Sequence, residues 1–264
     1  MPSAKASRAG GTESERTAAP APRTLCVDIG GTGLKALLVD AEGKPATERV
    51  RVPTPRPATP QAVLGALASL IEPLGEFERA SVGFPGVVVD GVTRAARNLH
   101  PTWRDFPLAK AIAEATGRPV KVLNDAGVQG YGVIDGRGVE MLLTLGTGLG
   151  CALFVDGIYV PNLELAHHPF RKGQTYEEQV GAIALGRVGK QRWNARVARV
   201  VQTVLPVFNP RRLYVGGGNA KLVKVDLPPN VTLTPNIAGL TGGFKLWTHE
   251  GGAEVRKGGS GKKR

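Results

Sequence analysis

Apolar positions recur along this chain in two rhythms. The first is a set of short unbroken runs. "TLCVDI" and "KALLVD" lie near the start, "MLLTL" and "CALFVD" in the middle; all are β-prone and bounded by glycine, so each predicts a strand. Between the members of each pair stands the same tetrapeptide, Gly31-Thr32-Gly33-Leu34 in one copy and Gly146-Thr147-Gly148-Leu149 in the other. Each second strand ends in a turn signal, Ala41-Glu42-Gly43 or the hairpin pair Asp156-Gly157. The two stretches form a weak internal repeat and suggest two related halves built by duplication, each presenting one glycine turn.

The second rhythm is helical. In "TPQAVLGALASLIEPLG", Val63, Leu67, Leu70 and Leu74 recur at helical spacing, and "FPLAKAIAEATG" predicts a short helix ending at Gly117. Thr175 and Glu178 have the spacing of a capping box, which predicts a helix running toward Gly186 or Gly189. A further helix puts Trp193, Val197, Val200, Val201 and Val204 on one face and Arg192, Arg196 and Arg199 on the other. "ASVGFPGVVVDG" predicts strand, turn and strand, "PVKVLND" a strand, and "RRLYVGGGNAK" a strand entering a glycine turn. Strands alternating with helices define an α/β fold.

Composition adds boundaries. At 264 residues and 42% hydrophobic, the chain can bury a core as one large or two small domains. Residues 1–23 hold almost no bulky apolar side chain and residues 250–264 are rich in Gly and Lys, so both tails are expected to be disordered. No secretory h-region and no membrane-length apolar run is found, which points to the cytoplasm. Cys26 and Cys151 sit in predicted strands as small hydrophobes, and without a CxxC spacing no structural zinc is expected. Of the net charge of +12, the tails hold +2 and +3, leaving +7 for 24–249. That excess fits an anionic ligand, and it equally fits solubility alone. An aromatic content of 5% and the lack of a nucleic-acid-binding motif argue against nucleic acid as the partner.

Neither glycine turn is a P-loop or a Rossmann fingerprint. A bare turn between strands nevertheless lets backbone N–H groups approach an anion, with Thr32 and Thr147 as hydroxyl donors. Asp28 stands where it can hold a phosphate-bound metal, and Lys35 where it can neutralise charge. A third glycine turn follows at Gly216-Gly217-Gly218.

Asn124-Asp125 closes a predicted strand. A carboxylate there can accept a proton from a hydroxyl in a cleft; on the residues alone, an Asx turn or helix cap is the simpler reading. Glu164 and His167, three apart, suit sugar hydroxyls, and a metal site would want a third ligand. Asn98 and Trp103 in "NLHPTW" add an amide and an aromatic ring near the predicted cleft, although a lone tryptophan is more often core than ligand platform.

In order, "DIGGTGLK" 28–35, "GFPG" 83–86, "NLHPTW" 98–103, "LNDA" 123–126, "LGTGLG" 145–150, "LELAH" 163–167 and "VGGG" 215–218 resemble the motifs of the ROK family of sugar kinases, particularly its polyphosphate glucokinases. The resemblance implies an actin-like (ribonuclease H-like) two-lobed fold with a central cleft, the lobes spanning 24–123 and 124–249. It implies phosphoryl transfer from polyphosphate or ATP to a hexose, glucose above all, with mannose, an N-acetylhexosamine or a catalytically silent sugar sensor as alternatives. Asp125 would be the general base. Asn98, Asn124, Glu164, His167 and, at an imperfect spacing, Glu177 would hold the sugar. Asp28, Gly30, Gly31, Thr32, Gly33, Lys35, Gly146, Thr147 and Gly148 would line the phosphates, with Gly217 and Gly218 beside a nucleotide. Mg²⁺, through Asp28, and a homodimer are implied as well. The family's usual ELGH reads ELAH here, with Ala166 for glycine, and its zinc-binding cysteine cluster is absent.

Overall fold

The computed structural model describes residues 22–97, 99–235 and 238–248. Two five-stranded sheets organise them. The first is built from β1 (Thr24–Ile29), β2 (Gly33–Val39), β3 (Val50–Pro53), β4 (Arg79–Phe84) and β7 (Val120–Asn124), in the order β3-β2-β1-β4-β7. Between these strands run α1 (Pro60–Ile71), the small hairpin β5 (Val87–Val89) and β6 (Val92–Ala95), and α2 (Leu108–Thr116). The helix α3 (Asp125–Tyr131) then leads to the second sheet. This contains β8 (Val139–Leu145), β9 (Leu149–Val155), β10 (Ile158–Val160), β13 (Arg212–Gly216) and β14 (Val231–Leu233), in the order β10-β9-β8-β13-β14. Its insert holds β11 (Pro169–Arg171), β12 (Gln174–Thr175), α4 (Tyr176–Val180) and α5 (Ala182–Phe208). Each sheet opens with an antiparallel hairpin around a GTGL turn and continues through parallel strands. The internal repeat is therefore a repeat of topology.

Strand alternation decides what each face of the first sheet does. Leu25, Val27 and Ile29 of β1 and Leu34, Ala36 and Leu38 of β2 point to one side and pack with Val63, Leu67 and Leu70 of α1. Fully burying such side chains stabilises by about 1.5–3 kcal/mol each. Trp103 belongs to this core. It is fully buried, it packs against Phe84 at 5.0 Å between ring centroids, and its Nε1–H donates to the Ala58 carbonyl at 2.8 Å. That is the core placement expected of a lone tryptophan: its apolar ring and single donor are both satisfied inside.

The opposite face is divided. Cys26, Leu37 and Val39 are covered by Leu240 and Phe244, from α6 (Ala238–Thr241) and the 3₁₀ turn Gly242–Trp247 that follows it. Asp28 and Lys35 on the same face stay open toward the cleft. The returning segment is pinned by Ser81, whose hydroxyl donates to the Gly243 carbonyl (2.6 Å) and accepts from Trp247 Nε1 (2.8 Å). Arg79 and Lys121 lie over the Trp247 ring at 5.4 and 4.8 Å.

The helix predicted from Thr175 toward Gly186 or Gly189 is broken early. The capping box is present, but α4 ends at Val180. Gly181 is extended, so that Ala182 can donate its N–H to Thr147 in the second glycine turn at 3.0 Å. Gly189, at φ 75°, then interrupts α5, a conformation glycine adopts without a Cβ penalty. The expected disordered tails lie outside the described residues except for Pro22 and Arg23, and the Arg23 carbonyl is held by the Glu78 N–H at 3.1 Å.

Trp247→Ala removes one hydrogen bond and two cation–π contacts. We expect a loss of about 2 kcal/mol in urea denaturation. An unchanged midpoint would mean that the returning segment adds nothing to the first sheet.

Candidate active site

The first glycine turn closes on itself. Gly30 N–H donates to the Gly33 carbonyl at 3.0 Å, and a Cβ on Gly30 would lie 2.8 Å from that oxygen, so the turn needs bare backbone. Its other carbonyls are tied outward: Thr54 Oγ1 donates to Gly30 (2.6 Å) and Arg56 Nη2 to Gly31 (2.8 Å). The second turn repeats the scheme. Gly146 N–H donates to Gly148 (3.0 Å), Asn219 Nδ2 to the Gly146 carbonyl (3.1 Å) and Ala182 N–H to Thr147. Among the described residues, none accepts a hydrogen bond from the backbone amides of Gly31, Thr32, Thr147 or Gly148. Two sets of free N–H groups therefore line one cleft of about 510 Å³, an arrangement suited to phosphate oxygens. The third turn, at Gly217 and Gly218, borders the same cleft; Gly217 has φ 86°, and a Cβ there would lie 2.5 Å from the Leu145 carbonyl.

At the junction of β7 and α3, Asn124 makes the helix cap and Asp125 lines the cleft. Asn124 caps α3, its Oδ1 accepting from Ala126 N–H (2.9 Å) and Gly127 N–H (3.4 Å) while its Nδ2 donates to the Gly86 carbonyl (3.1 Å). That double tether aims the next side chain, Asp125, into the cleft. The Asp125 carboxyl is pushed up to about 7, first by loss of water and then by the Asp28 carboxylate, with Glu164 adding to the effect. The Ala126 N–H and the Lys35 charge pull the other way. A carboxyl group titrating near neutrality is well matched to proton transfer.

Around it stand two pairs. Asp28 and Lys35 face each other across the β1–β2 ladder, 2.6 Å apart. Glu164 Oε2 and His167 Nε2 lie 3.6 Å apart across a single 3₁₀ turn, Leu165–His167. Glu177 enters from α4, where its Oε2 accepts from Leu149 N–H at 3.2 Å and buttresses the second glycine turn.

Every candidate site residue from the sequence lines this one cleft except Asn98, which lies outside the described residues. The cleft also gains Arg49, Arg51, Gln129, Thr144 and Asn219, which sequence reasoning missed. The alternation Arg49-Val50-Arg51-Val52 carried a signal, an exposed basic face on a strand. The arginine stripe of α5 is not part of the cleft: Arg196 donates to the Gln179 carbonyl at 3.3 Å, and none of Arg192, Arg196 and Arg199 is among the lining residues.

Twin sheets, each opening on a glycine turn, with one cleft between the turns define an actin-like two-lobed fold. The ROK family profile matches residues 24–161. Polyphosphate glucokinase from Mycobacterium tuberculosis is 32% identical over 234 residues, covering 82% of this chain and 88% of that protein. The chain belongs to the ROK family. Among solved structures it is similar to the inorganic polyphosphate/ATP-glucomannokinase of Arthrobacter sp. strain KM (TM-score 0.78, 32% identity, 86% of this chain and all of that one). It shares its fold with the Streptomyces griseus ROK family glucokinase in complex with glucose and AMPPNP (TM-score 0.72, 21% identity, 85% and 98%).

The raised Asp125 carboxyl has a stability consequence. Unfolded, the group ionises near 3.8; folded, near 7. Between those values folding takes up a proton, so the Asp125 contribution to stability falls as pH rises through that window and is lowest above 7. Asp125→Asn removes this dependence. We expect its Tm to exceed that of the wild type at pH 8, by about 2–4 °C per kcal/mol recovered, and the gap to close toward pH 4. An equal or lower Tm at pH 8 would contradict the assignment.

Proposed function

We propose that this protein transfers the terminal phosphoryl group of polyphosphate or ATP to the terminal hydroxyl of a hexose, glucose foremost. The observation that carries the reading is Asp125. It is a carboxyl group titrating near neutrality, between a Glu–His pair suited to sugar hydroxyls and two amide cradles suited to phosphates. Ionised Asp125 takes the hydroxyl proton as that oxygen attacks the terminal phosphorus. The new O–P bond replaces the bond to the leaving phosphate, and the donor departs one phosphate shorter. Amides of both glycine turns, with Lys35, hold the phosphate oxygens where negative charge is spread in the transition state.

Among the described residues, no group of three or more His, Cys, Asp and Glu is placed to hold a metal ion. A hard cation whose other ligands are donor oxygens still fits the oxygen chemistry of Asp28. Asp28 would hold Mg²⁺, which neutralises phosphate charge when bound. Glu164 and His167 orient the sugar, joined in this proposal by Asn98 and Asn124, whereas Glu177 serves the second glycine turn. A second cavity of about 200 Å³ opens beside Glu164 and His167, between Gly86, Ala95 and Arg97. It favours mannose or an N-acetylhexosamine as the second reading of the acceptor. Buried, unpaired Cys26 and Cys151, pushed up to about 12 by burial, suit a reducing cytoplasm. Among the described residues no helix is long and apolar enough to cross a membrane. The homodimer implied by the resemblance belongs to the same proposal.

A coupled assay over a panel of hexoses, with ATP and polyphosphate supplied separately, tests the reading; no turnover with any pair overturns it. In the active pair, Asp125→Asn lowers kcat by about 10²–10⁴-fold. The wild-type kcat falls about tenfold per unit as pH drops below about 7, because the protonated carboxyl cannot take up the hydroxyl proton. A flat profile between pH 5 and 8 would remove Asp125 from the proton transfer.

For the acceptor pair, Glu164→Gln and His167→Ala raise the sugar KM by roughly tenfold to a hundredfold, more than they raise the donor KM. Weakened donor binding with sugar affinity spared would move the pair to the other end of the cleft.

A further inference from the structure

We propose that Arg51 and Arg49 form a cationic track for the distal phosphates of a polyphosphate donor, running from Lys35 outward along the edge strand β3. The inference rests on the kinase reading above and names the donor class that this side of the cleft takes. Lys35 pairs with Asp28 on one side of β2 and is registered against Arg51 of β3 on the other. Asp28, Lys35 and Arg51 thus make one row across three strands, on the face away from the core. Val50 and Val52, the alternate residues of the same strand, pack into that core. Arg49 stands two residues before Arg51 and lines the cleft with it.

The spacing suits a chain of charges. Neighbouring strands lie about 4.8 Å apart and alternate residues about 6.6 Å apart, so three cations follow one another over about 11 Å. Lys35 is engaged with a carboxylate. Among the described residues, Arg49 and Arg51 have no carboxylate within salt-bridge distance. Both side chains are exposed at the cleft margin. The first glycine turn leads the donor toward them, since a Cβ on Gly33 would lie 2.9 Å from Arg51 Nε. On the other side of the cleft, the exit past Gly217, Gly218 and Asn219 has no lysine or arginine among its lining residues. A nucleoside has no use for two unpaired guanidinium groups beyond the phosphates. A donor that carries negative charge on every residue does.

The test compares donors in the full-length chain. Arg49→Gln/Arg51→Gln is assayed with long-chain polyphosphate and with ATP over a range of salt concentrations, and labelled long-chain polyphosphate is titrated by anisotropy as a readout independent of turnover. We expect the KM for long-chain polyphosphate to rise about tenfold more than that for ATP at low salt. The slope of log affinity against log salt should shrink by about 1.4, taking roughly 0.7 per phosphate neutralised on a single-stranded polyanion. Arg49→Lys/Arg51→Lys, which keeps the charge, should restore most of the affinity and so separates the track from a folding defect. Arg192→Gln/Arg196→Gln/Arg199→Gln should leave polyphosphate affinity unchanged.

Equal losses for both donors, an unchanged salt slope, or failure of the lysine variant to restore binding would overturn the track. A wild type active with ATP alone would overturn the track and leave the kinase reading standing. A wild type inactive with both donors would overturn the two together.

Discussion

The cleft depends on a carboxylate held where water cannot fully solvate it. Asp125 sits at the first position of α3, between the last strand of one sheet and the first strand of the other, with Asp28 close enough to oppose its ionisation. Were it fully solvated, it would be ionised throughout the physiological range but too weak a base to help a hydroxyl. Without the Ala126 N–H and the Lys35 charge nearby, burial and the Asp28 carboxylate would push it higher still. Its position between those limits is set by the tether of Asn124, which binds Gly86 on one side and the first amides of α3 on the other. One side chain thus caps a helix, joins two segments and aims the residue that follows.

The same demand for closeness governs the glycine turns. Phosphate oxygens can reach backbone N–H groups only where no side chain covers them. At Gly148 a Cβ would fall 1.9 Å from Glu177 Oε2, and at Gly217 it would meet the Leu145 backbone. Their carbonyls are drawn away by Thr54, Arg56, Asn219 and Ala182, so that the donors alone face the cleft. This also explains the early end of α4. An unbroken helix through Gly181 would keep the Ala182 amide inside its own ladder and leave the Thr147 carbonyl without its partner.

Most of the cleft was legible in the sequence because its signals are local. Strand runs bounded by glycine, a polar pair at a strand end and a Glu–His spacing of three each fix a turn or a cap with little help from the rest of the chain. What escaped needed knowledge of what lies opposite. Helical periodicity put Arg192, Arg196 and Arg199 on one face of a helix but could not say that the cleft lies elsewhere. Arg49 and Arg51 become meaningful only once β3 is registered against Lys35. Trp103, by contrast, needed no such knowledge: a large ring with a single donor is more often core than ligand platform, and Phe84 and the Ala58 carbonyl meet both needs inside.

The repeated GTGL is also not read identically in the two halves. In the first hairpin Ile29 pairs with Leu34, which leaves four residues in the loop; in the second Leu145 pairs with Leu149, which leaves three. A one-residue change of register alters which side chains face each other across the ladder. The first hairpin sets Asp28 against Lys35, and the second sets Thr144 against Gly150, where a Cβ would lie 2.3 Å from Thr144 Oγ1. One half presents charge beside its turn and the other presents bare backbone. A polyanion needs both, because amides position phosphate oxygens without adding net charge and cations neutralise them without fixing their geometry. Two identical copies would have supplied one of these twice; the division lies in the residues themselves, since the positions of Asp28 and Lys35 in the first copy are held by Leu143 and Gly150 in the second.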